Sequence, residues 1–167
     1  SDKLIITAPD GSITTPGVAV NAVRKENVEI DVDGTVSTTG DFGHAIDPGL
    51  SKNTTLTING EVTTSGEGAY GVAAEKSDAA NITINGIVRT TGAGRAEGVR
   101  LENATDAVLW IGADGLIETT GPNDAIGVNA GGGDSKDHDI TIDGDIRTSG
   151  EGAHALVVGG SSVVRIN

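Results

Sequence analysis

The stretch "TLTINGEVTTSGEGAYGV", residues 55–72, decides the fold because the chain repeats its plan several times. Residues 81–94 have the sequence "NITINGIVRTTGAG", and residues 139–156 have "DITIDGDIRTSGEGAHAL". Successive closing glycines of these phrases are 23, 26, 26, 29 and 29 residues apart, at Gly17, Gly40, Gly66, Gly92, Gly121 and Gly150. A period of about 20–50 residues indicates a solenoid, a propeller or another array of stacked units.

Every unit contains three short runs that alternate apolar and polar residues, as strands do. The first runs are centred at positions 31, 57, 83, 110 and 141, and each is followed by an Asx-Gly pair. These pairs suit a positive φ angle, since glycine lacks a Cβ and Asn and Asp tolerate that region. A second run follows the pair, and a third follows the closing glycine, at Ala45-Ile46, Gly71-Val72, Gly98-Val99, Gly127-Val128 and Ala155-Leu156.

Equivalent residues of successive units match in character, which favours stacking of whole units over hairpins within a unit. One column is aliphatic throughout, at Ile13, Val36, Val62, Val88, Ile117 and Ile146. The sequence therefore predicts an all-β, right-handed, single-stranded parallel β-helix of about six coils with three short strands each. It forms a single domain over residues 1–167. "SVVRIN", residues 162–167, matches the first strand of a seventh coil, with Val164 and Ile166 facing inward. We therefore expect a fragment of a longer solenoid.

A threonine column accompanies the aliphatic one, at Thr15, Thr38, Thr64, Thr90, Thr119 and Thr148. It has the same parity as the aliphatic column, so these side chains should point inward. Buried hydroxyls need partners, and a ladder of hydroxyl–hydroxyl hydrogen bonds along the stack would supply them. The alternative is a corner position at which the threonines are half exposed.

Charge and composition exclude several classes of function. The net charge is −13, with 11 Lys and Arg against 24 Asp and Glu, so the chain lacks the basic surface of a nucleic-acid binder. It contains no run of about 18 apolar residues, so we expect no membrane insertion by this segment. There is no cysteine, which excludes disulfides and zinc–thiolate sites. No signal peptide is recognisable at Ser1, which suggests a mature or excised chain.

No constellation of residues predicts a catalytic, cofactor or metal site. Asp31 points outward, but Asp33 belongs to the repeated turn, and an acid/base pair needs two clustered carboxylates. The segment "GGGDSKDHD", residues 131–139, is similar to a calcium-binding nonapeptide that works only in stacked copies, so a solvated acidic loop is expected. His44 and His154 share a column but lie four coils, about 19 Å, apart and cannot share a metal.

Outward columns are less uniform than inward ones, and any binding function should lie there. We predict Trp110, Tyr70, His44 and His154 as partner-contact residues, because exposed aromatic residues are enriched at binding hot spots. Alternatively, Gly112 and Ala113 or the segment 100–106 cover Trp110. The sequence predicts three outward columns: Asp31, Thr57, Thr83, Trp110, Thr141 and Arg165; Thr14, Ser37, Thr63, Arg89, Glu118 and Arg147; and Asn21, His44, Tyr70, Glu97, Ile126 and His154. The column that begins at Thr14 ends in three residues whose charges alternate in sign.

The phrases "GEVTTSGEGAYGV" (60–72), "GIVRTTGAGRAEGV" (86–99) and "GDIRTSGEGAHAL" (144–156) resemble passenger repeats of bacterial autotransporters, which use type V secretion. The resemblance extends over residues 4–167. It implies a β-helical stalk that a Gram-negative bacterium secretes or displays with the help of a C-terminal barrel. No Gly-Asp-Ser-Gly motif is present, which disfavours the protease subgroup. No functional residue of the family can be transferred to this chain.

We therefore expect an extracellular or cell-surface adhesin that is not an enzyme and has no cofactor. Its partners would be a host receptor, a matrix protein or a second copy of itself, contacted through coil faces and loops. Two alternatives remain open. One is a secreted effector or ligand for a host-cell receptor, and the other is a polysaccharide-active β-helix enzyme in which Asp31 would be essential.

Overall fold

The computed structural model describes residues 3–6 and 11–167, which form strands and turns arranged in successive coils. Each complete coil contains three strands. The first three coils comprise β1 (Lys3–Ile6), β2 (Ser12–Thr15) and β3 (Val20–Asn21), then β4 (Glu29–Val32), β5 (Thr35–Thr38) and β6 (Ile46–Asp47), then β7 (Thr55–Ile58), β8 (Glu61–Thr64) and β9 (Val72–Ala73). The next comprise β10 (Asn81–Ile84), β11 (Ile87–Thr90) and β12 (Glu97–Arg100), then β13 (Val108–Ile111), β14 (Leu116–Thr119) and β15 (Ile126–Ala130), then β16 (Asp139–Ile142), β17 (Asp145–Thr148) and β18 (His154–Val158). A final strand, β19 (Val163–Ile166), begins another coil.

Equivalent strands pair in parallel and make three sheets, as the repeat predicts. Sheet A has the order β1-β4-β7-β10-β13-β16-β19, sheet B runs from β2 to β17, and sheet C runs from β3 to β18. The register joins equivalent residues one coil apart, for example Thr57 with Thr83 and Val62 with Val88. The predicted all-β solenoid with three strands per coil is confirmed. Right-handed winding stays a prediction from the sequence.

The core is an aliphatic column between the three sheets, and the strands of sheets A and B turn alternate residues into it. Within the described chain it contains no aromatic side chain. Val36, Val62, Val88 and Ile117 of sheet B are fully buried, and Ile84 and Ile111 of sheet A belong to the same core. Each such side chain stabilises the fold by about 1.5–3 kcal/mol through removal from water. A coil cannot bury these residues alone, so stability depends on the stack.

The glycines of the Asx-Gly turns are needed for a reason that the sequence did not indicate. All five pairs lie in the described chain, and none of their residues has a positive φ angle, so that expectation was wrong. Instead, coils approach each other closely at these turns. A Cβ on Gly60 would lie 2.0 Å from the Gly34 carbonyl oxygen, and one on Gly86 would lie 2.0 Å from the Gly60 oxygen. Only glycine allows coils to stack at this distance.

Positive φ angles occur in three other columns, at the corners of the coil. One corner is occupied by Arg24, Leu50, Lys76 and Asn103, with φ between 54° and 58°. A second has Asn27, Asn53, Ala79, Asp106 and Asp137, and a third has Phe42, Gly68, Gly94, Asp124 and Gly152. Side chains such as Arg, Leu and Lys rarely adopt this conformation, so no residue-type signal marks the first corner.

The threonine column points inward as predicted, but its hydroxyl ladder is wrong. Thr38, Thr64, Thr90 and Thr119 are at most 2% exposed. The Thr38 hydroxyl donates to the Gly43 carbonyl, and the Thr64 hydroxyl donates to the Ala69 carbonyl at 3.4 Å. The hydroxyls of Thr90 and Thr119 have no partner among the described residues. These side chains therefore contribute mainly their methyl groups to the core.

The last strand, β19, pairs with β16 as the first strand of a further coil. Val164 aligns with Ile140 and Ile166 aligns with Ile142, which confirms their inward column. They are nevertheless 36% and 73% exposed, because no described residue packs beneath them.

Candidate functional site

Sheet B carries a polar outer face on which residues pair with each other. Arg89 contacts Glu118 at 2.7 Å and Glu61 at 2.8 Å, so part of the predicted charge ladder is present. The predicted rung between Glu118 and Arg147 is absent, because Arg147 binds Asp145 of its own strand at 2.7 Å. Thr63 donates to Ser37 at 3.0 Å. This face therefore satisfies most of its polar groups internally.

The outer face of sheet C departs most from the repeat. Its two outward rows are His44, Tyr70, Glu97, Ile126 and His154, and, three residues later, Asp47, Ala73, Arg100, Asn129 and Val157. The predicted column is correct from His44 to His154, but Asn21 was misplaced. Asn21 aligns with Asp47 instead, because Val20 pairs with Ile46. The misplacement arose because the third strand begins only 3 residues after the closing glycine in the first coil, from Gly17 to Val20, but 6 residues after it in the second, from Gly40 to Ile46.

His44, Tyr70 and Arg100 form a stack on this face. The His44 and Tyr70 rings are parallel, with an interplanar angle of 4° and centroids 4.5 Å apart. The Arg100 guanidinium lies 4.9 Å from the Tyr70 centroid and comes from the following coil. Burial lowers the pKa of His44 and raises that of Tyr70. Because neighbours from the coils before and after cover its ring, Tyr70 offers a partner mainly its edge and hydroxyl.

A buried carboxylate lies beside this stack. Glu97 is fully buried, and its Oε1 accepts hydrogen bonds from Arg100 at 2.9 Å and Asn129 at 3.0 Å, with Arg95 Nε at 3.1 Å. Its Oε2 has no hydrogen-bond partner among the described residues. Burial raises the pKa of the Glu97 carboxyl, and Arg100, Asn129 and Arg95 act in the opposite direction.

Arg100 is the centre of a charge network that we call the sheet C cluster: Glu75, Arg95, Glu97, Arg100 and Glu102. Arg100 is 12% exposed and also binds Glu75 at 2.6 Å and Glu102. In coils 1, 2 and 5 the position of Arg100 is an Asx residue that caps the strand end. Asp47 accepts from the Gly49 amide at 3.0 Å, and Asn129 accepts from the Gly131 amide at 3.1 Å. At coil 3 it is Ala73, whose small side chain leaves room beside Arg100.

A groove of about 360 Å³ adjoins the cluster on coils 4–6, and Arg95, Asp124, Ile126, His154 and Val157 line it. The structure thus places three of the four predicted contact residues on one face. His44 and Tyr70 touch, and His154 lies at the groove. The cluster and Asp124 were not predicted as contacts. The signal that could have found them is the run "RAEGVRLE", residues 95–102, which puts four charges where equivalent positions are mostly neutral.

Trp110 lies on a different face, the outer side of sheet A. It is 42% exposed, and neither Gly112 and Ala113 nor the segment 100–106 buries it. Its Nε1 donates to Asp143 Oδ2 at 2.7 Å. Hydrogen bonds from Asn167 and from Trp110 lower the pKa of the Asp143 carboxyl, so it remains an ionised acceptor.

Acidic residues that could suggest a catalytic or metal site lie at two further places. Asp31 lies 3.0 Å from Lys3, and Asp33 accepts from Asn59 at 2.8 Å within the turn column. In the segment 131–139, Asp134 and Asp137 are exposed while His138 is buried. The described residues contain no group of three or more His, Asp or Glu side chains that could hold a metal ion.

Fold and surface together define the chain as a three-sheet parallel β-solenoid with one irregular, charged face. Comparisons of the chain with protein-family models, with characterised proteins and with solved structures find no match. Among the described residues, no helix is long and apolar enough to cross a membrane.

Proposed function

We propose that this chain is a stalk segment of an autotransporter-like passenger that acts in adhesion or host-cell interaction, without catalysis. A Gram-negative bacterium would display it on its surface or secrete it. Its partner would be a receptor or matrix protein that contacts the outer face of sheet C. The observation that carries this proposal is the concentration of departures from the repeat on that face: the His44–Tyr70–Arg100 stack, the buried Glu97 and the adjoining groove.

Physical properties of this face support a binding role. The sheet C cluster is held together by several ion pairs, because Arg100 binds Glu97 and Glu102 of its own coil and Glu75 of the coil before it. A rigid surface loses little conformational entropy when a partner binds. The groove provides an apolar floor of Ile126 and Val157 next to charged groups at its rim. Apolar anchors with a polar rim are typical of protein interfaces.

Binding to cultured host cells and to immobilised matrix proteins would test this proposal. We expect Arg95→Glu to weaken binding about tenfold or more, because Arg95 is half exposed at the groove. Arg147→Glu is the matched control, since Arg147 is similarly exposed but lies on sheet B. Equal binding by both variants and the unmodified chain would contradict the assignment of the face.

Display is a separate part of the proposal. Fused to an outer-membrane translocating barrel, the chain should reach the surface of intact Gram-negative cells and become accessible to an antibody there. Retention of the folded chain inside the cell would contradict the passenger assignment. A secreted ligand for a host-cell receptor is the alternative, and it would use the same face.

The polysaccharide-active alternative has one supporting observation, the raised pKa of Glu97 beside a groove. A carboxyl that stays protonated at higher pH can serve as a general acid. Under this alternative the candidate general acid would be Glu97 and not Asp31. A screen of polysaccharides for chain cleavage decides between the two functions, and turnover that Glu97→Gln abolishes would replace the adhesion proposal.

A further inference from the structure

Sheet A carries a surface that the proposed adhesive face does not use. The outward positions of coils 3–5 in this sheet are all uncharged: Thr55, Thr57, Asn81, Thr83, Val108 and Trp110. We call these six residues the sheet A platform. Charged residues flank it on both sides and pair with each other, Lys3 with Glu29 and Asp31, and Arg165 with Asp139. In a chain of net charge −13, six adjacent neutral positions form a distinct surface.

Three polar side chains of the platform have no hydrogen-bond partner among the described residues. The side chains of Thr57, Asn81 and Thr83 make no hydrogen bond to any residue that the structure describes, whereas Thr63 and Arg89 on sheet B have partners. In sheet A, hydroxyls of successive coils repeat at the strand spacing of about 4.8 Å. A ligand with hydroxyl groups at similar intervals could bond to several of them.

Trp110 adds an oriented aromatic surface at one end of the platform. Its ring is fixed because Asp143, one coil further along, accepts the indole N–H at 2.7 Å. The only hydrogen-bonding group of the indole is therefore already used. What remains for a ligand is the π surface and the neighbouring side chain of Val108, which is 44% exposed. This combination suits a partner with an apolar C–H face and polar edges.

We propose that the sheet A platform binds a neutral glycan, with one pyranose ring packed on Trp110 and further hydroxyls bonded to Thr83, Asn81 and Thr57. Electrical neutrality favours an uncharged saccharide over sulfated or sialylated chains, because the platform has no cation to pair with an anionic group. The open, flat surface suits a linear glycan that runs across successive coils, along the axis of the solenoid. The proposal goes beyond the adhesive role assigned to sheet C and uses none of its residues.

The sole tryptophan of the chain is a built-in probe for this site. The full chain would be titrated with neutral oligosaccharides of glucose, mannose, galactose and N-acetylglucosamine, followed by Trp110 fluorescence and checked on a glycan array that includes sulfated and sialylated members. We expect saturable binding of a neutral oligosaccharide with a blue shift of the emission. Trp110→Ala should weaken binding about tenfold or more in the array, where fluorescence is not needed.

Thr83→Val keeps the shape of the side chain and removes its hydroxyl, and should weaken binding several-fold. Thr63→Val on sheet B is the matched control and should leave glycan binding unchanged. The proposal is overturned if no neutral glycan binds, if only anionic glycans bind, or if Thr83→Val and Thr63→Val have equal effects. It is also overturned if light scattering shows that Trp110→Ala disrupts an oligomer, since a second copy would then cover the platform. Binding of cells through Arg95 is measured separately, so failure of one proposal leaves the other testable.

Discussion

The outer faces of sheets A and C rest on the same coils but differ in chemistry. Sheet A presents a neutral platform on which Thr57, Asn81 and Thr83 make no side-chain hydrogen bond to any described residue. Sheet C presents charged groups that pair with each other around the buried Glu97 and the largely buried Arg100. The difference shows that inward residues of a solenoid provide its stability, whereas outward residues are available for recognition. Inward columns must repeat because they stack, and outward columns can vary one coil at a time.

The largest expected effect on stability comes from the stacked turns between coils, which support both faces. Gly60→Ala would place a Cβ 2.0 Å from the Gly34 carbonyl oxygen, and a backbone atom cannot rotate away. We expect a loss of about 3 kcal/mol or more in the free energy of unfolding, measured by urea denaturation. Gly133→Ala is the control, because a Cβ there would meet nothing within 4 Å. Equal stability of the two variants would contradict the close stacking of the turns.

Sheet C should be sensitive to loss of a single charge. Arg100→Met keeps much of the apolar stem but removes a partner of the buried Glu97. We expect a loss of about 2–3 kcal/mol, because the buried Glu97 carboxyl loses a charged hydrogen-bond partner that Arg95 and Asn129 replace only in part. The exposed pair of Arg147 with Asp145 offers a comparison. Arg147→Met should change stability by less than about 0.5 kcal/mol, and a similar loss for both variants would refute the buried network.

The threonine column gives a smaller, paired effect of opposite sign. Thr90→Val replaces a buried hydroxyl that has no partner, so we expect the variant to gain about 1 kcal/mol. Thr38→Val removes a hydroxyl that donates to the Gly43 carbonyl, and we expect a loss of about 1 kcal/mol. Chemical denaturation of both variants measures the difference. A loss at both positions would restore the hydroxyl ladder that the sequence suggested.

Much of the fold could be predicted because stacking imposes one rule on every coil. The columns of Val36 and Thr38 had to match along the chain, and their repetition is visible in the sequence. The left-handed corners at Arg24, Leu50 and Lys76 could not be predicted, since these residue types do not favour positive φ. The glycine turns were located correctly, but close approach between coils is a property of the assembled stack.

The candidate site was predictable only in part, for a related reason. Tyr70, His44 and Trp110 stand out as rare residue types at outward positions. The sheet C cluster depends on side chains that reach across coils, such as Arg100 to Glu75, and spacing alone does not show which pairs meet. The indole of Trp110 likewise finds Asp143, 33 residues away.

A dependence of stability on pH should come from His138 in the segment 131–139. Burial lowers its pKa, so the folded chain holds it neutral while the unfolded chain binds a proton at its ordinary value of about 6.5. Stability contributed by the neutral form is therefore present above pH 6.5 and is lost as the pH falls below it, by at most about 1.4 kcal/mol per pH unit. His138→Leu should reduce this slope between pH 7 and pH 5 in thermal or urea unfolding, and an unchanged slope would contradict its burial.

The smallest effect is expected on sheet A. Thr83 makes no side-chain hydrogen bond within the described chain, so Thr83→Val should change the free energy of unfolding by less than about 0.5 kcal/mol. A larger loss would mean that the platform stabilises the fold and is not free for a ligand.

Disulfide trapping tests the central claim, the parallel stacking of coils in register, most directly. The chain has no cysteine, so any intramolecular disulfide must join the two engineered cysteines. Thr57 and Thr83 are paired neighbours in sheet A, at a strand spacing of about 4.8 Å that falls within disulfide range. Thr57→Cys combined with Thr83→Cys should form an intramolecular disulfide under mild oxidation, whereas Thr57→Cys combined with Thr63→Cys should not, because Thr63 lies on sheet B. Cross-linking of the 57/63 pair without the 57/83 pair would indicate hairpins and contradict the solenoid.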